Sequence, residues 1–324
     1  MIAHTFLGFA ERRPHLQAID LPGEPRLRHV KAKADDADAA FTRIWIREGW
    51  LAINSHQELW SLPIPMTGDA KLLSDDWDVL PADDGRTVWI QHPDGGSWVR
   101  VDGNGSISGP SLVRQPGERL EAVYGQAAIV RAGGAEALWL RRPGTSDLAL
   151  GNGVALCQAG AVAFVSSQLG AALSAIDLKS GRRVEIPRVG FGCWGLFASA
   201  SPDESIVAIG CDLASAPPPR PPGMPYQEWL GHPDNPRRTD YRNVMVLIDV
   251  HSMSTRVLNG VFDNFASAPA WSTSGEGFVF SIPFERNTCA WVDRRGEEII
   301  RIRVPRRSPT PLCDATELVG RGID

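Results

Sequence analysis

Seven histidines and five cysteines are the residues of this 324-residue chain best suited to hold a metal or act as nucleophiles. Their spacing assembles no such site locally. His4, His15, His29, His56, His92, His232 and His251 form no HxH or HxxxH pair, so no two metal ligands share one strand face or helix turn. Cys157, Cys193, Cys211, Cys289 and Cys313 are odd in number and include no CxxC, which excludes a complete disulfide framework and a zinc knuckle. The neighbours of Cys157, Cys211 and Cys289 (VALCQA, AIGCDL, NTCAWV) read as buried strand thiols. No GxxxxGK[ST] or GxSxG pattern occurs, so neither a P-loop nor a nucleophile elbow is written into the chain. We expect no metal and no cofactor.

The densest set of binding-type side chains lies in residues 213–243, LASAPPPRPPGMPYQEWLGHPDNPRRTDYRN. This stretch holds eight prolines together with Tyr226, Trp229, His232, Arg237, Arg238 and Tyr241. Proline runs favour a stiff, extended polyproline conformation. Trp, Tyr and Arg carry most of the energy of protein interfaces. The pattern points to recognition of a protein or peptide. Asp76 with Trp77, Trp194 beside Cys193, and Asp263 before Asn264 and Phe265 are candidates from three further connections. Such carboxylates around one opening would suit a basic group.

These side chains need a frame, and the sequence supplies one as a degenerate repeat. Short alternating strands joined by tight turns begin at Leu16, Leu59, Trp98, Leu138, Leu173, Val246 and Ala290. The residues closing the first strand are Asp20, Pro63, Asp102, Arg142, Asp177, Asp249 and Asp293, separated by 43, 39, 40, 35, 72 and 44 positions. Units of about 40 residues match four-stranded propeller blades, and the long step contains the 213–243 insertion. Asp at the turn suits its habit of accepting nearby backbone N–H groups. An apolar strand precedes most hairpins, as in WLAIN at Trp50, AAIVRA at Ala127 and IVAIG at Ile206. The expected fold is therefore all-β: one domain over 1–324, a seven-bladed β-propeller of four-stranded antiparallel blades. Six blades are the alternative, if the unit at Leu138 is incomplete. The N-terminal segments lack an innermost strand, and residues 315–322 are expected to supply it and close the ring. Loops joining second to third strands share one face with the blade-to-blade connections, which puts the insertion and the other candidates on one rim.

Two segments resemble the TolB-type propeller repeat, with its P-x-W-S-P-D-G turn. Pro269–Ser281 (PAWSTSGEGFVFS) keeps Pro269, Trp271 and Ser272; Ala198–Gly210 (ASASPDESIVAIG) keeps Ser201, Pro202 and Asp203. The likeness is to TolB-like and WD40-like bacterial repeats in architecture only, since the GH…WD pairing is missing. That broad group includes periplasmic accessory proteins, peptidase-appended propellers and lyases, so the resemblance implies a fold and leaves function open.

The net charge of −5, with no dense Lys/Arg block, disfavours nucleic-acid binding. No apolar run approaches membrane-spanning length, and no basic region precedes the N-terminal apolar stretch, so a cytoplasmic monomer without membrane contact is expected. The leading functional expectation is a non-catalytic propeller that binds a protein or peptide through the insertion-bearing face. The alternative is a lyase or hydrolase, metal-dependent or metal-free, acting on a saccharide or small molecule at the channel mouth.

Overall fold

The computed structural model describes residues 2–8, 14–19, 25–29, 43–55, 58–63, 71–75, 79–132, 137–167, 172–186, 192–212, 224, 242–258, 262–263, 269–272, 274–282, 288–297, 299–303 and 311–318. Among them every regular element is a β-strand, and no helix is long and apolar enough to cross a membrane.

The strands follow one another as antiparallel meanders. β1 (Ile2–Gly8), β2 (Pro14–Ile19) and β3 (Pro25–His29) pair in order. β4 (Arg43–Arg47), β5 (Trp50–Ser55), β6 (Glu58–Pro63) and β7 (Lys71–Ser74) form the next sheet. β8 (Leu80–Pro81), β9 (Val88–Gln91), β10 (Ser97–Val101) and β11 (Ile107–Val113) form another. A seven-stranded sheet then runs from β12 (Arg119–Tyr124), β13 (Ala127–Arg131) and β14 (Ala137–Arg141) through the long β15 (Leu148–Ala159) to β16 (Val162–Ser167), β17 (Leu173–Asp177) and β18 (Arg183–Glu185). The first part of β15 pairs with β14 and its second part with β16, so one strand serves two four-stranded groups. β19 (Gly192–Ala200), β20 (Ile206–Asp212), β21 (Arg242–Asp249) and β22 (Thr255–Val257) follow, with β23 (Phe262–Asp263) also on β21. β24 (Ala270–Trp271), β25 (Gly277–Ile282), β26 (Thr288–Asp293) and β27 (Ile299–Arg303) make the last complete meander. β28 (Pro311–Leu318) returns to pair antiparallel with β1, a few residues ahead of the expected 315–322.

All seven sequence hairpins fall on paired strands: β2–β3, β6–β7, β10–β11, β14–β15, β17–β18, β21–β22 and β26–β27. Apolar strands such as β13 and β20 read as continuous runs because both of their faces are buried. In β20, Val207, Ile209 and Cys211 enter a core shared with Phe164 and Ala175, while Ala208 enters a core with Met245, Phe278 and Phe280. In β13, Ala127 and Ile129 pack toward Ala163 and Ile176, and Ala128 and Val130 toward Trp89 and Trp98. Sheets that follow one another in the chain thus pack face to face.

Turn chemistry fixes the hairpins. Asp102 accepts from the amides of Asn104 at 2.8 Å and Ser106 at 2.9 Å. Asp177 accepts from Lys179 and Ser180, Asp249 from His251 and Ser252, and Asp293 from Arg295 and Glu297. The Ser180 amide on Asp177 and the Ser252 amide on Asp249 hold both carboxyls below the usual range. These acids are structural. Gly277, which opens β25, has no room for a side chain: a Cβ there would lie 2.4 Å from the Val292 carbonyl oxygen and 2.5 Å from the Trp291 ring.

Candidate functional site

In a four-stranded meander, the first and third turns lie at one end of the sheet and the second at the other. The end bearing the first and third turns is chemically occupied by its own structure. Besides the turn acids above, Asp84 accepts from the Arg86 and Thr87 amides and from the Thr87 hydroxyl. Asp203, in the β19–β20 turn, accepts from the Ser201 hydroxyl at 2.7 Å and the Ser205 hydroxyl at 2.9 Å, and pairs with Arg294 of the neighbouring sheet. The Ser201 hydroxyl also accepts from the Ile206 amide at 3.0 Å. The Ser-Pro-Asp of the TolB-like motif is therefore a turn lock and a tie between sheets.

Burial acts to raise the Asp203 pKa, but the hydrogen bonds from Ser201, Arg294 and Ser205 outweigh it and hold the carboxyl well below its ordinary range. A depressed folded-state pKa contributes stability above the unfolded pKa and loses it as pH falls toward the folded one. Asp203→Asn should therefore be less stable than the parent at neutral pH. With both partners substantially exposed, the difference should be about 1 kcal/mol or less. It should shrink once pH drops below about 4. Urea midpoints of both proteins at neutral and acidic pH check this; a gap that widens in acid contradicts it.

The opposite end of the β19–β23 sheet is where regularity fails. The long insertion leaves β20 after Asp212 and re-enters at β21, and Asp212 is paired with Asn243. β21 starts at Arg242, so Arg242 and Asn243 belong to the strand and not to the insertion. On one side of this base, β23 pairs Phe262 with Asn243 and Asp263 with Arg242. On the other, β19 pairs Gly192 with Asp212 and Cys193 with Cys211, and the register then jumps so that Ala198 opposes Ile209. Four residues, Trp194–Phe197, thus face the single position Gly210. Bulges bend a strand and re-aim its side chains, and they are frequent beside functional sites.

Trp194 is accordingly in a bulged strand, and Asp263 ends a short strand; the sequence had put both in connections. Local patterning could not show this, because the pairing partners lie far along the chain. Both residues are brought into one sheet with the insertion's base. Asp76, Trp77, Tyr226, Trp229, His232, Arg237, Arg238 and Tyr241 lie outside the described residues. Met224, the one described residue within the insertion, is partly buried. His92 is described, with Nδ1 3.0 Å from Asp94 Oδ2, while His56 and His232 lie outside the described residues. Among the described residues no group of three or more His, Cys, Asp or Glu side chains is placed to hold a metal ion.

Elsewhere among the sheets, a largely buried ionic clamp ties the end of β14 to the connection between β11 and β12. Glu118, 7% exposed, accepts from Arg141 through both carboxylate oxygens, at 2.9 and 3.2 Å, and from the Gln115 amide at 2.8 Å. Arg141 also donates to Asp147 and to the Val113 carbonyl. Sequence reading missed this clamp, since Arg141 lies 23 positions from Glu118 and 28 from Val113.

No protein-family model and no curated protein matches the chain. Solved structures do resemble it in fold. A candidate 6-phosphogluconolactonase from Bacteroides uniformis aligns over 96% of this chain and 98% of its own, with 12% identity and a TM-score of 0.55. A second, from Bacteroides fragilis, covers 98% and 96% at 10% identity, with a TM-score of 0.53. A candidate TolB from Agrobacterium tumefaciens covers 86% and 96% at 12% identity, with a TM-score of 0.47. Together with the stacked antiparallel meanders, the first two likenesses give an all-β, propeller-type architecture. At such identities they carry the fold alone.

Proposed function

We propose that the chain closes into a seven-bladed ring and serves as a non-catalytic scaffold that grips a protein or peptide through the rim bearing the 213–243 insertion. Support for the ring comes from the first strands of successive meanders, which lie side by side. β12 neighbours β8 and β15, β19 neighbours β15 and β24, and β28 neighbours β24 and β4. Counting the halves of the seven-stranded sheet separately gives seven blades, with β28 completing the blade of β1–β3.

The observation that carries the binding role is the convergence of three departures from regularity at one end of one sheet. These are the Trp194–Phe197 bulge, the added strand β23 with Asp263, and the insertion between Asp212 and Arg242. The opposite end uses its carboxylates to hold its own turns. Irregular elements on a rigid frame are where recognition is usually built. In this reading the insertion supplies Tyr226, Trp229, Arg237, Arg238 and Tyr241 as anchors, while Trp194 and Asp263 flank them. Asp76 and Trp77 extend the same rim. The ligand is a polypeptide, without cofactor, nucleic acid or membrane.

The test removes Pro217–Asp240 from the full chain. The variant is expected to keep its far-ultraviolet circular dichroism and its melting cooperativity. Peptides selected by display on the full-length protein should bind it at least about tenfold more weakly, a loss of about 1.4 kcal/mol. Equal affinity for both proteins would refute the role of the insertion and turn attention to the axis of the ring.

A further inference from the structure

Two of the five cysteines are opposed in the strand register at this rim, which the sequence did not reveal. Cys193 of β19 and Cys211 of β20 are direct partners in the antiparallel register, one pair in from Gly192 and Asp212. Directly opposed residues of antiparallel strands have Cα atoms about 4.5–5.5 Å apart. That separation falls within the window of about 4.4–6.8 Å that disulfides span. Cys211 is 1% exposed in the core between two sheets, and its thiol donates to the Ile209 carbonyl at 3.8 Å. Cys157 borders the same core but lies on β15, where its register partner is Phe164 and not a cysteine.

We propose that Cys193 and Cys211 are a redox pair that closes to a cross-strand disulfide when a small-molecule disulfide is the oxidant. One thiol loses its proton and attacks the oxidant, releasing one small thiol and forming a mixed disulfide. The second protein thiolate then attacks the protein sulfur of that mixed disulfide and releases the other small thiol. Two protein thiols are oxidised and one external disulfide is reduced. The bond ties the strand that leads into the Trp194–Phe197 bulge to the strand that leads into the insertion. It forms whether or not segment 213–243 binds a partner.

Full-length protein treated with oxidised glutathione, then alkylated in denaturant and mapped by mass spectrometry without reduction, tests this. The expected product is a linked peptide pair containing Cys193 and Cys211, lost in Cys193→Ser and retained in Cys157→Ser. The proposal is overturned if both cysteines remain alkylatable, if they end as two separate glutathione adducts, or if Cys211 links instead to Cys157. Should Cys193→Ser fold poorly, the maps of the parent and of Cys157→Ser still decide between these outcomes.

Discussion

Trp271→Ala is expected to cost about 4 kcal/mol of folding stability, the usual toll for deleting a buried indole. Trp271 is 5% exposed, stacks at 4.8 Å and 47° on Phe278, and sits in the core where the β19–β23 sheet meets the β24–β27 sheet. Its indole N–H reaches the Ser199 carbonyl of the other sheet at 3.4 Å, and the Ser199 hydroxyl in turn donates to the Pro269 carbonyl. Truncation would therefore open a void and cut one of the ties between sheets. Against a typical total of about 5–15 kcal/mol, this loss should bring the urea midpoint down sharply. Trp271→Phe keeps most of the volume and should lose less than half as much. Equal losses for the two substitutions would mean that the void is not the cause. The tryptophan of the TolB-like motif thus acts in packing. The result also bears on function, because the sheet it anchors carries the proposed binding rim.

The second large effect is expected at Arg141. Removing one partner of a buried ion pair strands the other charge in a poor environment, at a cost of about 3 kcal/mol. Arg141→Met removes every donor that Glu118 receives from a side chain and leaves the Gln115 amide as its remaining hydrogen bond described above. It also releases Asp147 and the Val113 carbonyl. Glu118→Gln combined with Arg141→Met should recover part of the loss, since the orphaned charge is then gone. A double-mutant cycle on urea midpoints measures the coupling. Simple additivity of the two single losses would show that the clamp stores no pair energy.

Much of the frame was legible in the residues themselves. Alternating or continuous apolar runs of four to six residues, broken by Gly, Pro and Asp, specify strands and turns through backbone sterics and local hydrogen bonds. Asp102, Asp177, Asp249 and Asp293 bond to amides two to four residues ahead, an interaction that needs no distant partner. For the same reason the seven hairpins could be placed from spacing alone. The continuous apolar character of β13 and β20 likewise marked them as strands.

The site was legible only as a list of suitable side chains. Nothing in the local pattern distinguishes Cys193-Trp194 in a connection from the same residues in a bulged strand, because the bulge exists only relative to Gly210 on β20. Asp263 gains its place from pairing with Arg242, and Asp203 meets Arg294 across 91 positions. Local sequence thus determined which segments become strands and how they turn, since those choices are settled within a few residues by sterics and short-range hydrogen bonds. Tertiary structure decided which irregularities share a rim, which charges meet and which cysteines are partners in the strand register. Those relations are set by register and sheet packing between segments that the chain keeps far apart.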